Sequence, residues 1–333
     1  MIMATAKNLK QLIGSYGDRA QFRNAAMHLI EDEERKGHKP LADTLRRLLE
    51  AATTETTQPS PTGLARLAQL HDPARELLEI VEPSRSLQDI VLTPETRSQV
   101  ATILEETGRS EELLRHRIPL RQKFLFCGPP GCGKTLCAEV IARELGLPLY
   151  IARLDVIISS FLGETAGNLR KVFESAVQRP CVLFLDEFDS LGRTRADSNE
   201  HNELRRVVNS LLVLIDRYKN RGLLLAATNL ESSLDNALWR RFDDVLSFEP
   251  LGEADIAQLL TMRFKNFPVN FDLHRQASKL TAFTPAEIER VCFDTLRTAI
   301  LKKRKSATET DFATSLKQEQ RRKAAASRAP RAH

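Results

Sequence analysis

Residues 128–135 run Gly128, Pro129, Pro130, Gly131, Cys132, Gly133, Lys134, Thr135. They fit the phosphate-binding pattern G-x-x-x-x-G-K-[ST] at every fixed position. An apolar, strand-like run at 123–127 precedes them and a helix-like run at 135–145, beginning with Thr135 and Leu136, follows. That is the context in which backbone N–H groups can wrap a phosphate chain at a helix N-terminus. Lys134 is placed to reach the β- and γ-phosphates, and the Thr135 hydroxyl to meet Mg²⁺. The glycines permit close backbone approach and unusual dihedrals. The phosphate-binding set therefore spans Gly128 to Leu136.

Further along, 182–189 reads Val-Leu-Phe-Leu-Asp-Glu-Phe-Asp. An apolar strand that ends in Asp186 and Glu187 supplies what a bound nucleotide still lacks. Asp186 can hold the Mg²⁺ shell, and Glu187 can accept a proton from an attacking water. Without the upstream loop, these would be solvated acids at a strand end. Asn229 closes another apolar run, where a carboxamide can orient the water or the γ-phosphate; a turn asparagine is the alternative. Arg240 and Arg241 follow as adjacent guanidinium groups. They suit charge on a transferring phosphoryl group, or else form a surface pair.

The elements that must position these groups are legible as periodicity. Short, nearly continuous apolar runs at 124–127, 149–152, 182–185, 223–228 and 245–248 alternate with helical segments, as in a buried parallel sheet. After Pro250 the pattern is helical to about Leu316. At the other end, 5–50 is helical in pattern. Phe22, Ala25, Ala26, Leu29 and Ile30 form one stripe; Gly37 closes it, and Pro40 opens a second helix. The Thr/Pro/Ser-rich stretch 53–62 is a linker, followed by a short helical stretch at 64–81. The expected organisation is a helical module at 1–52, a linker with a short helix at 53–85, an α/β domain at 86–250, a helical lid at 251–316 and a basic disordered tail at 317–333.

Composition bounds the class. With 42% apolar and 28% charged residues, the chain has the balance of a soluble globular protein. No apolar run approaches the roughly 20 residues of a membrane span. The first ten residues lack a signal-peptide core, so a cytoplasmic location without membrane contact is expected. Five cysteines, three of them in or beside the loop, fit buried thiols in a reducing compartment. A net charge of +5 is mild for 333 residues and does not by itself imply nucleic acid.

Taken in order, the loop 128–135, the run 182–189, the stretch 226–229 with 234–238, and 240–243 resemble the AAA family of ATPases, within the wider AAA+ group, over about 86–316. The resemblance implies an α/β P-loop domain with parallel strand order 5-1-4-3-2, a C-terminal helical lid, ATP and Mg²⁺ as ligands, and a homo-oligomeric ring, usually a hexamer. It places Asn229 at the sensor-1 position and Arg240 and Arg241 at the arginine fingers, which act on a neighbour's ATP. Many members carry Arg-Pro-Gly-Arg-Phe-Asp there; in this chain the arginines are adjacent, which leaves open which one contacts phosphate. In the lid, Thr284, Pro285, Ala286 and Glu287 stand where the family often has Ser-Gly-Ala-Asp, and Arg290 is a candidate for a lid arginine.

The same resemblance makes Phe161, Leu162 and Gly163 a pore loop that would grip an extended polypeptide, with 192–200 as a second such loop. It implies ATP hydrolysis coupled to remodelling of a protein client. The compact plan is also similar to bacterial AAA ATPases that pair with a separate subtilisin-like serine protease, in some cases in defence. A nucleic-acid-associated motor or loader is the alternative that the basic tail would favour.

Overall fold

The structure, a computed structural model, describes residues 76–154, 164–189, 200–220, 222–229 and 236–328, with Ile30, Arg35, Ala74 and Ile157. The helical pattern of 5–50 (but for Ile30 and Arg35), the linker 53–62, the loop of Phe161, Leu162 and Gly163, and the stretch 192–199 lie outside these residues. The chain divides into two compact units, Met1–Asp72 and Pro73–His333. The second unit carries the phosphate loop and the other nucleotide-handling candidates.

Six strands form one sheet in the order β1-β3-β4-β5-β2-β6. They are β1 (Glu79–Val81), β2 (Lys123–Cys127), β3 (Leu149–Arg153), β4 (Val182–Asp186), β5 (Leu223–Thr228) and β6 (Asp244–Ser247). All pairings are parallel except β1 with β3. Counting from the phosphate-loop strand β2, the parallel strands lie 5-1-4-3-2, as expected. The central strands are buried on both faces, so their sequences are apolar throughout instead of alternating.

Helices cover both faces. On β2, Phe124 and Phe126 point to a core built with α1 (Pro94–Gly108) and α3 (Lys134–Glu144). Leu125 and Cys127 point to the opposite core, shared with α4 (Thr165–Gln178) and α5 (Glu200–Arg217). The short helices α2 (Ser110–Arg115) and α6 (Asn236–Trp239) lead into β2 and β6. In all parallel pairs the C-terminal strand ends lie along one edge, where the loops from β2, β4 and β5 emerge.

The lid has its own apolar core, with Ile256, Leu260, Leu280, Ile288, Val291 and Phe312 fully buried. Its helices are α7 (Glu253–Phe264), α8 (Leu273–Ala277), α9 (Pro285–Leu301) and α10 (Glu309–Arg328). A capping box starts α9, with Thr284 and Glu287 each accepting from the other's backbone N–H at 3.4 and 2.7 Å.

Two expectations are corrected. Residues 79–81, read as the end of a short helix, form β1, which pairs Ile80 with Tyr150 and covers the edge of β3. Three residues are too few to show a period. Residues 317–328, read as the start of a disordered tail, continue α10. Glu319 is 2% exposed and binds Arg290 and Arg322 through its carboxylate, and Ala324, Ala325 and Ala326 favour helix.

Candidate functional site

The loop after β2 is shaped by its neighbours. Gly128 has φ +146°, and a Cβ there would stand 2.2 Å from the Phe248 carbonyl oxygen, so only glycine fits. Gly131, at φ +80°, faces the lid: its carbonyl accepts from the Ala286 N–H at 3.1 Å, and a Cβ would press on Thr284 Oγ1 at 3.1 Å. The lid segment 284–287 thus lies directly on the phosphate loop. Gly133, left-handed at φ +92°, opens α3.

Lys134, the first residue of α3, is 7% exposed. Its ammonium donates to the carbonyls of Gly128 at 2.7 Å and Pro129 at 2.9 Å, and to Asn229 Oδ1 at 2.8 Å. Burial pulls its pKa below the usual lysine value, against the pull of Cys132, Asp186 and Asp189. A phosphate chain presents the anionic oxygens this desolvated cation lacks. Cys132 is buried in the same loop, and burial pushes its thiol pKa up.

Thr135 donates from Oγ1 to Asp186 Oδ2 at 3.3 Å, across from α3 to the end of β4. This pair of hard oxygen donors suits Mg²⁺. At Glu187 the backbone turns left-handed, φ +55°, and its N–H donates to Asp186 Oδ1 at 2.9 Å. A non-glycine residue in that region carries strain, which concentrates at functional sites. Phe188 N–H then bonds Ala227 O at 2.9 Å, which returns the chain to β5. Hydrogen bonds join Lys134 to Asn229 and Thr135 to Asp186, and Glu187 is adjacent to Asp186.

The two arginines part company. Arg241 stays with its own chain: Nη1 donates to Ala237 O at 3.1 Å, and Nε lies 3.3 Å from Asp216 Oδ1 at the end of α5. Arg240 is exposed. The residues after them are anchored. Phe242 packs edge-on against Phe188 at 5.7 Å, and Asp243 accepts from the N–H groups of Gln122 and Lys123 at 2.8 and 2.9 Å. Of the lid candidates, Arg290 is engaged by Glu319 Oε1 at 2.7 Å.

Sequence reasoning missed three contributors. Asp189 is fully buried and accepts from the Asn229 N–H at 3.3 Å. Ile90 and Leu92 belong to the core under α3 while Val91 joins the lid core, so this segment stitches the two parts beside Gly133. Lys323 of α10 pairs with Glu287 at 3.3 Å and sits over the Phe283 ring at 4.9 Å, bracing the lid segment that touches the loop. The Asp-Glu-Phe-Asp spacing could have signalled the first; nothing local signals the others.

Known proteins are similar to this chain in sequence. The profile of the ATPase family associated with various cellular activities (AAA) matches residues 124–250. The chain is 49% identical over 326 residues to the uncharacterized AAA family ATPase y4kL of Sinorhizobium fredii, a match covering 98% of each. It is 29% identical over 236 residues to the ATP-dependent zinc metalloprotease FtsH of Halothermothrix orenii, covering 68% of this chain and 38% of that protein. Over 286 residues it is 31% identical to Protein SAV of Sulfolobus acidocaldarius, covering 80% of this chain and 36% of that one. The chain therefore spans little more than a third of the length of these two longer relatives.

Proposed function

The chain belongs to the AAA family of ATPases, and we propose that it is a protein-remodelling motor, a homo-oligomeric ring, expected to be a hexamer, with ATP held between neighbouring copies. The observation that carries this reading is the convergence of Lys134, Thr135, Asp186 and Asn229 at the strand ends, with Glu187 adjacent.

The roles follow from chemistry. Backbone N–H groups of 128–135 and the α3 N-terminus bind the phosphates, and Lys134 exchanges its carbonyl partners for phosphate oxygens. Thr135 and Asp186 would hold Mg²⁺, which when bound neutralises charge on the β- and γ-phosphates. Glu187 takes the proton from the attacking water. Asn229 orients that water or the γ-phosphate. Arg240, exposed, reaches a neighbour's γ-phosphate, while Arg241, bonded to Ala237 O and paired with Asp216, sets the segment's geometry.

For the work done, Phe161, Leu162 and Gly163 fall between β3 and α4, the position at which a client-gripping loop is expected. The FtsH relative is by name an ATP-dependent protease, which supports a protein client over nucleic acid. Two of the five basic residues at 317–328 are engaged within the lid, which points the same way: Arg322 pairs with Asp294 and Glu319, and Lys323 with Glu287. No Gly-x-Ser-x-Gly or His-Glu-x-x-His pattern occurs in residues 1–333; a separate subtilisin-like serine protease, in a defence-type module, is the proposed partner. No described helix is long and apolar enough to cross a membrane.

The test is a trap. Glu187→Gln protein, purified with ATP from its native cell, should retain a protein client, and a protease if one works with it. Recovery of nucleic acid alone would overturn the remodelling reading.

A further inference from the structure

We propose that Asp189 is a positioning residue that sets the sensor Asn229 for hydrolysis. The inference deepens the proposed function and rests on it in one respect, that Asn229 touches the γ-phosphate or the attacking water.

The geometry begins with a break in the sheet. The β4–β5 ladder runs in register to Leu185 and Ala226. Beyond it, the left-handed turn at Glu187 lifts the β4 chain out of the pleat. One backbone rung survives, Phe188 N–H to Ala227 O at 2.9 Å. Just past the end of β5, the acceptor for the Asn229 N–H is the Asp189 carboxylate, with Oδ1 at 3.3 Å. A side chain therefore replaces the backbone acceptor that the turn at Glu187 removed. The Asn229 main chain is held at its N–H, and its Oδ1 is left to accept from Lys134 at 2.8 Å.

Burial argues that this carboxyl group is there for a purpose. Asp189 is 0% exposed, and burying a polar side chain is costly unless it is hydrogen-bonded. An apolar residue would fill the same volume at lower cost. What the carboxylate adds is a fixed acceptor between the Glu187 turn and Asn229. Misplacing a catalytic group by about 1 Å can cost roughly a hundredfold in rate, so an element that fixes Asn229 belongs to hydrolysis without touching the substrate.

The test is a double-mutant cycle on the full chain, read as kcat for phosphate release beside ATP affinity. Asp189→Ala should lower kcat about ten- to a hundredfold with ATP affinity changed by less than about threefold. Asp189→Asn keeps an oxygen acceptor and should recover all but about threefold of the loss. In an Asn229→Ala background, Asp189→Ala should cost nothing further, because both act at one point. Additive losses, or wild-type kcat in Asp189→Ala, would overturn the inference alone. Wild-type kcat in Asn229→Ala would instead remove the reading of Asn229 on which it rests. If Asp189→Ala does not fold, Asp189→Ser takes its place in the cycle with the same outcomes.

Discussion

The division of labour between Arg240 and Arg241 is the sharpest consequence at the level of single residues. Arg241 donates to Ala237 O and forms an ion pair with Asp216, whereas Arg240 is exposed. Arg240→Ala should leave ATP binding intact and lower turnover by about 10³-fold or more, the range seen when an arginine finger is lost. Arg241→Ala should also lower the unfolding temperature, because it frees the α5 end. Subunit mixing separates a site shared between copies from one contained in a single copy. Arg240→Ala and Glu187→Gln chains, each inactive, should regain part of the activity when mixed, since a mixed interface joins an intact Glu187 to an intact Arg240. A mixture as inactive as its components would place the arginine's action within its own chain. The buried thiols form a second residue-level test. Burial pushes Cys137, Cys181 and Cys292 up to about 12, so the native protein should resist alkylation at pH 8, and any labelling should track unfolding.

At the scale of elements, α10 is the part whose role changed most. Its residues Glu319, Arg322 and Lys323 hold Arg290, Asp294 and Glu287 of α9, the helix whose first turn rests on Gly131. Ending the chain after Leu316 should destabilise the lid by about 1–3 kcal/mol and weaken ATP binding, readable by denaturant titration and by nucleotide titration. Unchanged values for both would mean that α10 does not brace the site. The start of α10 adds a pH dependence. The Thr308 hydroxyl, with Thr308 N–H and Arg304, holds the Asp311 carboxyl below the ordinary range. A pKa lowered on folding contributes stability that is fully present above the ordinary carboxylate range and is lost as pH falls through the lowered value. Asp311→Asn should lower lid stability at pH 7 and flatten that acid-side decline; an unchanged decline would assign it to other groups. What was legible here depends on distance along the chain. The loop, the Asp-Glu strand end and the Asn229 strand end declare themselves because phosphate chemistry demands given residue types at short, fixed spacings. The α10 clasp does not, since its partners lie 29 and 36 residues apart, and a run of basic residues without nearby acids looks like a solvated tail. The strand β1 was illegible for want of length; the Asp-Glu-Phe-Asp spacing marks Asp189, but its bond to Asn229 depends on a turn that no residue preference announces.

At the scale of the whole molecule, Lys134, Thr135, Asp186, Glu187 and Asn229 lie at the C-terminal edge of the sheet, where the lid segment rests on the phosphate loop, while Arg240 and Arg241 precede β6 at the opposite edge. Such a lid contact can respond to what the loop holds, because Ala286 N–H bonds the very loop that must wrap phosphate, and ATP and ADP would bias it differently. All of this rests on the claim that the site hydrolyses ATP with Glu187 as the base. The most direct test is phosphate release by wild-type and Glu187→Gln protein at saturating ATP, with ATP binding measured on the same samples. The account predicts steady turnover for the wild type, a loss of at least about 10²-fold for the variant, and equal ATP binding by both. Turnover by Glu187→Gln at the wild-type rate would contradict it.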